Sequence, residues 1–156
     1  SNASRLKTLR IELDRALPNT LTLADVQFDT QQARLTCDLL VTLNEGEAPE
    51  VMRERILRAA VFVGRNATLH DSRVQRVAIQ VRPRLTGAYA AGRPSSAVFL
   101  GETTGALLRE ADPVTGLASQ LRTLFTYSWW SPEFGQADSP SPPSNSGAAG
   151  PLPGSP

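Results

Sequence analysis

Residues 33–43 read Ala-Arg-Leu-Thr-Cys-Asp-Leu-Leu-Val-Thr-Leu, and this stretch decides the fold. Apart from Leu40, its apolar residues alternate with polar ones. Because successive side chains of a β-strand point to opposite faces, this period of two predicts a strand in a sheet with one buried face and one wet face. The residues predicted to point into the core are Leu35, Cys37, Leu39, Val41 and Leu43.

Three more strands are predicted around this one. A strand over 21–28 precedes it, and Asp29-Thr30-Gln31-Gln32 is short enough to join the two as a hairpin. Alternating apolar residues predict a third strand over 74–82, and a fourth is predicted over 97–101. The stretch 103–109 fits either a further strand or a short helix, and both alternatives stay open.

Three helices are predicted from apolar residues at three- and four-residue spacing. The first covers 5–17. The second begins at Pro49 and runs to about Val63, with Gly64 as its C-terminal cap. The third begins at the capping pair Asp112-Pro113 and runs to about Tyr127. Its predicted apolar face carries Val114, Leu117, Leu121, Leu124 and Phe125.

The element order is therefore helix, strand, strand, helix, strand, strand, helix (αββαββα). This order predicts an α+β fold with two layers, a mostly antiparallel sheet of about four strands with helices packed on one face. Residues 1–3, Ser-Asn-Ala, match the remainder of a cleaved affinity tag, so a single domain is expected over 4–135. The tail 136–156 holds six of the 12 prolines among Ser, Gly and Ala, and is expected to be disordered.

Composition excludes several classes of function. With 16 basic and 15 acidic residues the net charge is +1, which argues against bulk binding to nucleic acid. Cys37 is the only cysteine and His70 the only histidine, so neither a multi-cysteine nor a multi-histidine metal site can form. Phosphate-loop signatures are missing as well, and we expect no cofactor, metal or catalytic residue.

His70-Asp71-Ser72 brings three triad residue types together, but adjacent residues do not converge as a nucleophile, base and orienting acid must. A turn before the third strand explains the tripeptide better. The chain is therefore not expected to be an enzyme.

Four aromatic residues, Tyr127, Trp129, Trp130 and Phe134, lie within eight positions near the end of the predicted domain. Two interpretations stay open. The segment closes the core, or it forms a protein interface, where Tyr and Trp are over-represented. The second interpretation makes these four residues the candidate contact site for a partner protein.

Arg76, Arg82 and Arg84 belong to the third strand and its exit, where Arg76 and Arg82 share side-chain parity. One hypothesis is an anion contact that also uses the loop 86–96. The other is a solvated sheet face on which the arginines pair with carboxylates such as Asp38.

The leading expectation is a non-enzymatic interaction or assembly domain of a larger, membrane-anchored or exported bacterial protein. A small-ligand or anion-binding domain is the alternative. The absence of a start Met after the tag remainder suggests a removed N-terminal segment and membrane proximity, while the basic residues Arg5, Lys7 and Arg10 leave the cytoplasmic side open. The expected partner is a protein or a second copy of the chain.

Overall fold

The computed structural model describes residues 2–44, 46–84, 96–132 and Phe134. Those residues form four helices and five strands, so the α+β class is confirmed. The elements are α1 (Asn2–Ala16), β1 (Leu21–Asp29), β2 (Arg34–Val41), α2 (Pro49–His70), β3 (Arg76–Pro83), β4 (Phe99–Thr104), α3 (Gly105–Arg109), α4 (Ala118–Thr123) and β5 (Tyr127–Trp130). The predicted tail 136–156 and all of the 86–96 loop except Ser96 lie outside the described residues. None of the described helices is both long and apolar enough to cross a membrane.

The strands form one sheet in the order β1-β2-β3-β4-β5. The predicted hairpin is confirmed, because β1 and β2 pair antiparallel. β2 and β3 pair parallel, since α2 carries the chain back across the sheet before β3 begins. β3 with β4, and β4 with β5, pair antiparallel. The sheet is thus mixed and five-stranded, and the predicted count of about four strands was one short.

The strand registers divide the side chains between two faces. Cys37 of β2 lies beside Ile79 of β3, and Ile79 lies opposite Gly101 of β4. This face is buried and packs with α1, α2, α3 and α4 in a single core. We call the other face the helix-free face. One row across it runs through Asp38, Gln80, Leu100 and Trp129.

Helix α2 does not end at Gly64, so the predicted cap was wrong. The helix continues to His70, and Gly64 lies buried inside it. A Cβ atom at Gly64 would lie 2.9 Å from Cδ1 of Leu108, which belongs to α3. The glycine therefore lets α3 approach α2 closely, and it does not terminate the helix.

The long helix predicted over 112–127 was also wrong. Asp112 does cap a turn, because its Oδ1 accepts from the backbone N–H groups of Val114 and Thr115, both at 3.0 Å. The turn closes at Gly116, and helix begins again only at α4. Val114 and Leu117, assigned to the apolar face, are 72% and 63% exposed. The side-chain bonds of Asp112 thus stabilise an isolated turn and not the start of a long helix.

Residues 103–109 contain both of the structures left open by the sequence. β4 continues to Thr104, and α3 follows without a gap. Oγ1 of Thr104 accepts a hydrogen bond from the backbone N–H of Leu107 at 3.2 Å. Thr104 therefore caps α3 at the point where the strand ends.

Candidate functional site

The sheet has two edges, and the first, β1, is protected. A register shift between Leu23 and Asp25 forms an irregularity in β1. Arg10 of α1 covers it, because its Nη2 donates to the backbone oxygens of Leu23 at 3.3 Å and Ala24 at 3.1 Å. The exposed carboxylates of Asp25 and Asp29 add negative charge along the same edge. Bulges and charges are devices that keep edge strands from pairing with other chains.

Among the described residues, the second edge, β5, carries none of these devices. Its residues are Tyr-Ser-Trp-Trp, without a charge or a proline. The backbone N–H of Ser131 donates to the backbone oxygen of Val98 at 2.9 Å. The backbone groups of Ser131 therefore point towards β4. Because direction alternates along an antiparallel strand, the backbone groups of Ser128 and Trp130 point away from the sheet. Among the described residues these outward N–H and C=O groups have no backbone partner.

The four aromatic residues singled out from the sequence divide between the two faces of the sheet. Trp130 lies opposite Phe99 on the core face, with their ring centroids 4.6 Å apart. Phe134 is also buried in the core, and its backbone oxygen accepts a hydrogen bond from Arg53 of α2. Trp129 and Tyr127 lie on the helix-free face, outside the main core cluster.

Three polar side-chain atoms on the helix-free side of β5 are buried without a hydrogen-bond partner in the described part of the chain. They are the hydroxyl of Tyr127, the indole Nε1 of Trp129 and Oγ of Ser131. Burial raises the pKa of the Tyr127 hydroxyl, so it stays protonated. The three residues alternate along one face and span about 13 Å at the usual rise of a strand. Buried polar groups normally have partners, so this row is unusual among the described residues.

Sequence reasoning missed Ser128 and Ser131, which complete this site. A serine carries little strand signal, and the contribution of Ser128 comes from its backbone rather than from its side chain. The only sequence clue was their position between the aromatic residues.

The three candidate arginines of β3 and its exit each have a partner within the protein. Arg82 binds Asp38 through two bonds, Nη2 to Oδ2 at 2.6 Å and Nε to Oδ1 at 3.0 Å. Arg76 pairs with Glu102, and Arg84 donates to Oγ1 of Thr22. Arg76 and Arg82 lie six residues apart on one strand, about 20 Å, so they cannot hold one small anion together. An anion at either position would compete with the carboxylate already bound there.

His70, Asp71 and Ser72 line a cleft of about 380 Å³ between the end of α2 and the first turns of α1. The Asp71 carboxylate is held by Arg73, whose Nη2 lies 2.7 Å from Oδ2 and whose Nε lies 3.0 Å from Oδ1. This hydrogen-bonded guanidinium lowers the pKa of Asp71. The carboxylate thus orients Arg73 rather than His70, which differs from what a triad requires.

Metal-binding and thiol chemistry find little support in the described residues. No group of three or more His, Cys, Asp or Glu side chains there could hold a metal ion. Cys37 is fully buried, and burial raises the pKa of its thiol to about 12, with further contributions from Asp25 and Asp38. A thiol with such a pKa is a weak nucleophile at neutral pH.

The molecule thus belongs to the class of small α+β domains with a mixed sheet, in which one edge is protected and the other is left unprotected by the described residues. No protein-family model, curated protein or solved structure matches the chain. Its function is therefore inferred from the arrangement of its own residues.

Proposed function

We propose that this chain is a non-enzymatic interaction or assembly domain that binds an extended segment of a protein at the β5 edge by strand addition. The single observation that carries the proposal is the contrast between the two sheet edges. β1 has a register shift, a covering arginine and acidic residues, whereas β5 has only uncharged residues. Proteins normally block an edge that must not pair, so the edge left unblocked is the one suited to binding.

Strand addition explains what β5 offers to a partner. The outward N–H groups of Ser128 and Trp130 can donate hydrogen bonds to the backbone of any extended segment, and their C=O groups can accept hydrogen bonds from it. Tyr127, which is partly exposed, supplies a side-chain contact beside that segment, while Trp129 and Ser131 are only 6% exposed and pack within the protein. Main-chain bonds give affinity in this mode of binding, and the side chains alongside give selectivity.

The proposal uses one of the four aromatic residues, Tyr127, as a side-chain contact, because Trp129 is only 6% exposed. Tyr127 and Trp129 lie beside the edge on the helix-free face, while Trp130 contributes its backbone. Phe134 and the ring of Trp130 pack in the core and hold β5 in place. We further propose that the domain serves a larger, membrane-anchored or exported bacterial protein. The arginine bias of the chain, with Lys7 as the only lysine, supports a bacterial origin.

A selection of displayed peptides against the folded protein tests strand addition. Peptides selected on the wild type should bind Ser128→Ala as well, because that variant keeps the backbone N–H. They should lose at least tenfold in affinity for Ser128→Pro, which removes the outward N–H at an edge position where proline is tolerated. Hydrogen exchange should slow at Ser128 and Trp130 when a peptide binds.

Two outcomes would overturn the proposal. One is equal affinity of the selected peptides for both variants, since binding would then lie elsewhere. The other is a protein that selects no peptide and also shows no self-association through β5. Circular dichroism confirms that both variants are folded before the affinities are compared.

A further inference from the structure

We infer that the segment taken up at the β5 edge is β5 of a second copy of this chain, running antiparallel about a two-fold axis at Trp129. The inference rests on the proposed function, because it names the partner for the same edge. In such an isologous interface the same patch of both copies is in contact, so every contact occurs twice. The surface of the β5 edge must therefore be complementary to itself. Backbone, side chains and charge can each be compared with that requirement.

The backbone of β5 meets the requirement of self-complementarity. With the axis at Trp129, Ser128 lies opposite Trp130 of the second copy, and Trp130 lies opposite Ser128 of that copy. These are the residues whose N–H and C=O groups point outward from the sheet. Each of the two pairs exchanges two hydrogen bonds, as a hydrogen-bonded antiparallel pair does. The outward groups at both positions are thereby satisfied.

In the same register Tyr127 lies opposite Ser131 of the second copy, and Trp129 lies opposite Trp129. Trp129 and Ser131 are 6% exposed, and the polar side-chain atoms of all three residues are buried within each copy. These side chains therefore lie beside the pairing strands without donating across the axis, and the backbone carries the pairing.

Charge also favours self-pairing at this edge. A two-fold axis places each residue near its own copy, so a charge close to the axis would meet a like charge. No charged residue occurs over 125–132. The first edge differs, because Asp25 and Asp29 lie along β1. Pro132 lacks an N–H and limits the shared ladder to a few residues, so the dimer should be weak and concentration-dependent.

Register-specific disulfides test the inference in the full chain. In Trp129→Cys the two new cysteines would face each other across a non-hydrogen-bonded pair, with Cα atoms about 4.5 Å apart, which a disulfide can span. Mild oxidation should give a covalent dimer. Tyr127→Cys is the matched control, since its two copies would lie about 13 Å apart and stay unlinked. The native Cys37 is fully buried and should not interfere.

A second pair of variants leaves Trp129 in place, in case its replacement disturbs folding. Tyr127→Cys mixed with Ser131→Cys should give the mixed dimer, while each variant alone stays monomeric on oxidation. Sedimentation of the unoxidised protein should show dimers that increase with concentration. Ser128→Pro should weaken that association at least tenfold, and Ser128→Ala should keep it.

Two results would overturn the inference. Equal cross-linking of Trp129→Cys and Tyr127→Cys would show that the proposed register is wrong. A chain that stays monomeric and forms no cross-link would show that the partner is not a second copy. If selected peptides still bind at Ser128 in that case, the proposed function survives without self-pairing. If neither occurs, both fail.

Discussion

Trp129 and Trp130 are joined by one peptide bond, yet their rings lie on opposite faces of the sheet. Trp130 packs on Phe99 with ring centroids 4.6 Å apart, while Trp129 lies opposite Leu100 on the helix-free face. The two tryptophans therefore contribute to different properties of the molecule. Trp130 stabilises the core, and Trp129 lies beside the edge that is proposed to bind.

Replacing Trp130 should destabilise the fold. Trp130→Ala should lower the free energy of unfolding by about 3 kcal/mol, because it removes the ring that packs on Phe99 and leaves a cavity. Urea unfolding followed by circular dichroism measures the change. Trp130→Phe is the control and should cost less than about 1.5 kcal/mol, since it keeps an aromatic ring there. A loss below about 1 kcal/mol in Trp130→Ala would contradict the observed packing.

Adding one methyl group at Gly101 should also destabilise the protein. A Cβ atom there would lie 2.6 Å from Cζ of Phe99 and 2.7 Å from Cδ1 of Phe125. These two rings pack edge to face, with centroids 5.3 Å apart, so neither can move without disturbing the other. Gly101→Ala should therefore cost about 1–3 kcal/mol in thermal or urea unfolding. Thr36→Ala, at an exposed position on β2, should change stability by less than about 0.5 kcal/mol.

The arginine that covers the β1 edge can be tested against another arginine of the same helix. Arg10→Ala removes the donor to the oxygens of Leu23 and Ala24, and should lower stability by about 1 kcal/mol. Arg15 is the control, because its side chain is 74% exposed and lies 3.6 Å from Glu12. Arg15→Ala should have almost no effect. Equal losses in the two variants would mean that the hydrogen bonds of Arg10 to β1 do not stabilise the fold.

Stability should depend on pH through Glu47. Hydrogen bonds from Arg55 lower the pKa of Glu47 below its ordinary value of 4.5. The carboxylate therefore stabilises the fold above pH 4.5, and this contribution is lost as pH falls through the lowered pKa of the native state. As pH is lowered below 4.5, the stability of Glu47→Gln should fall less steeply than that of the wild type. Unfolding midpoints measured from pH 3 to 7 test this, with the exposed Glu110→Gln expected to follow the wild type.

The parts of the fold that the sequence predicted are those set by local periodicity. The strand over 33–43 alternates almost perfectly, so β2 and its hairpin with β1 were foreseen. β5 was missed, because it has only four residues and its Tyr-Ser-Trp-Trp sequence does not alternate. The end of α2 was missed for another reason. Gly64 has the local signature of a cap, and its contact with Leu108 is 44 residues away in the chain.

The aromatic residues near the end of the domain lie on and just after β5, and their role as a protein interface stays a prediction. Their division between two faces depends on the register of β5 with β4, which residue types alone do not specify. The outward backbone groups of Ser128 left no trace in the sequence at all, because every residue except proline carries the same N–H and C=O.

The covering of β1 by Arg10 has a consequence for the size of any assembly. A sheet with two available edges can add copies without limit and grow into a filament. Here one edge is sealed, so the proposed pairing through β5 would leave a ten-stranded sheet with a β1 strand at each end. Such a complex is closed by its own symmetry and offers no further edge for growth. The register shift, the acidic residues and Arg10 at β1 together limit the proposed assembly to two copies.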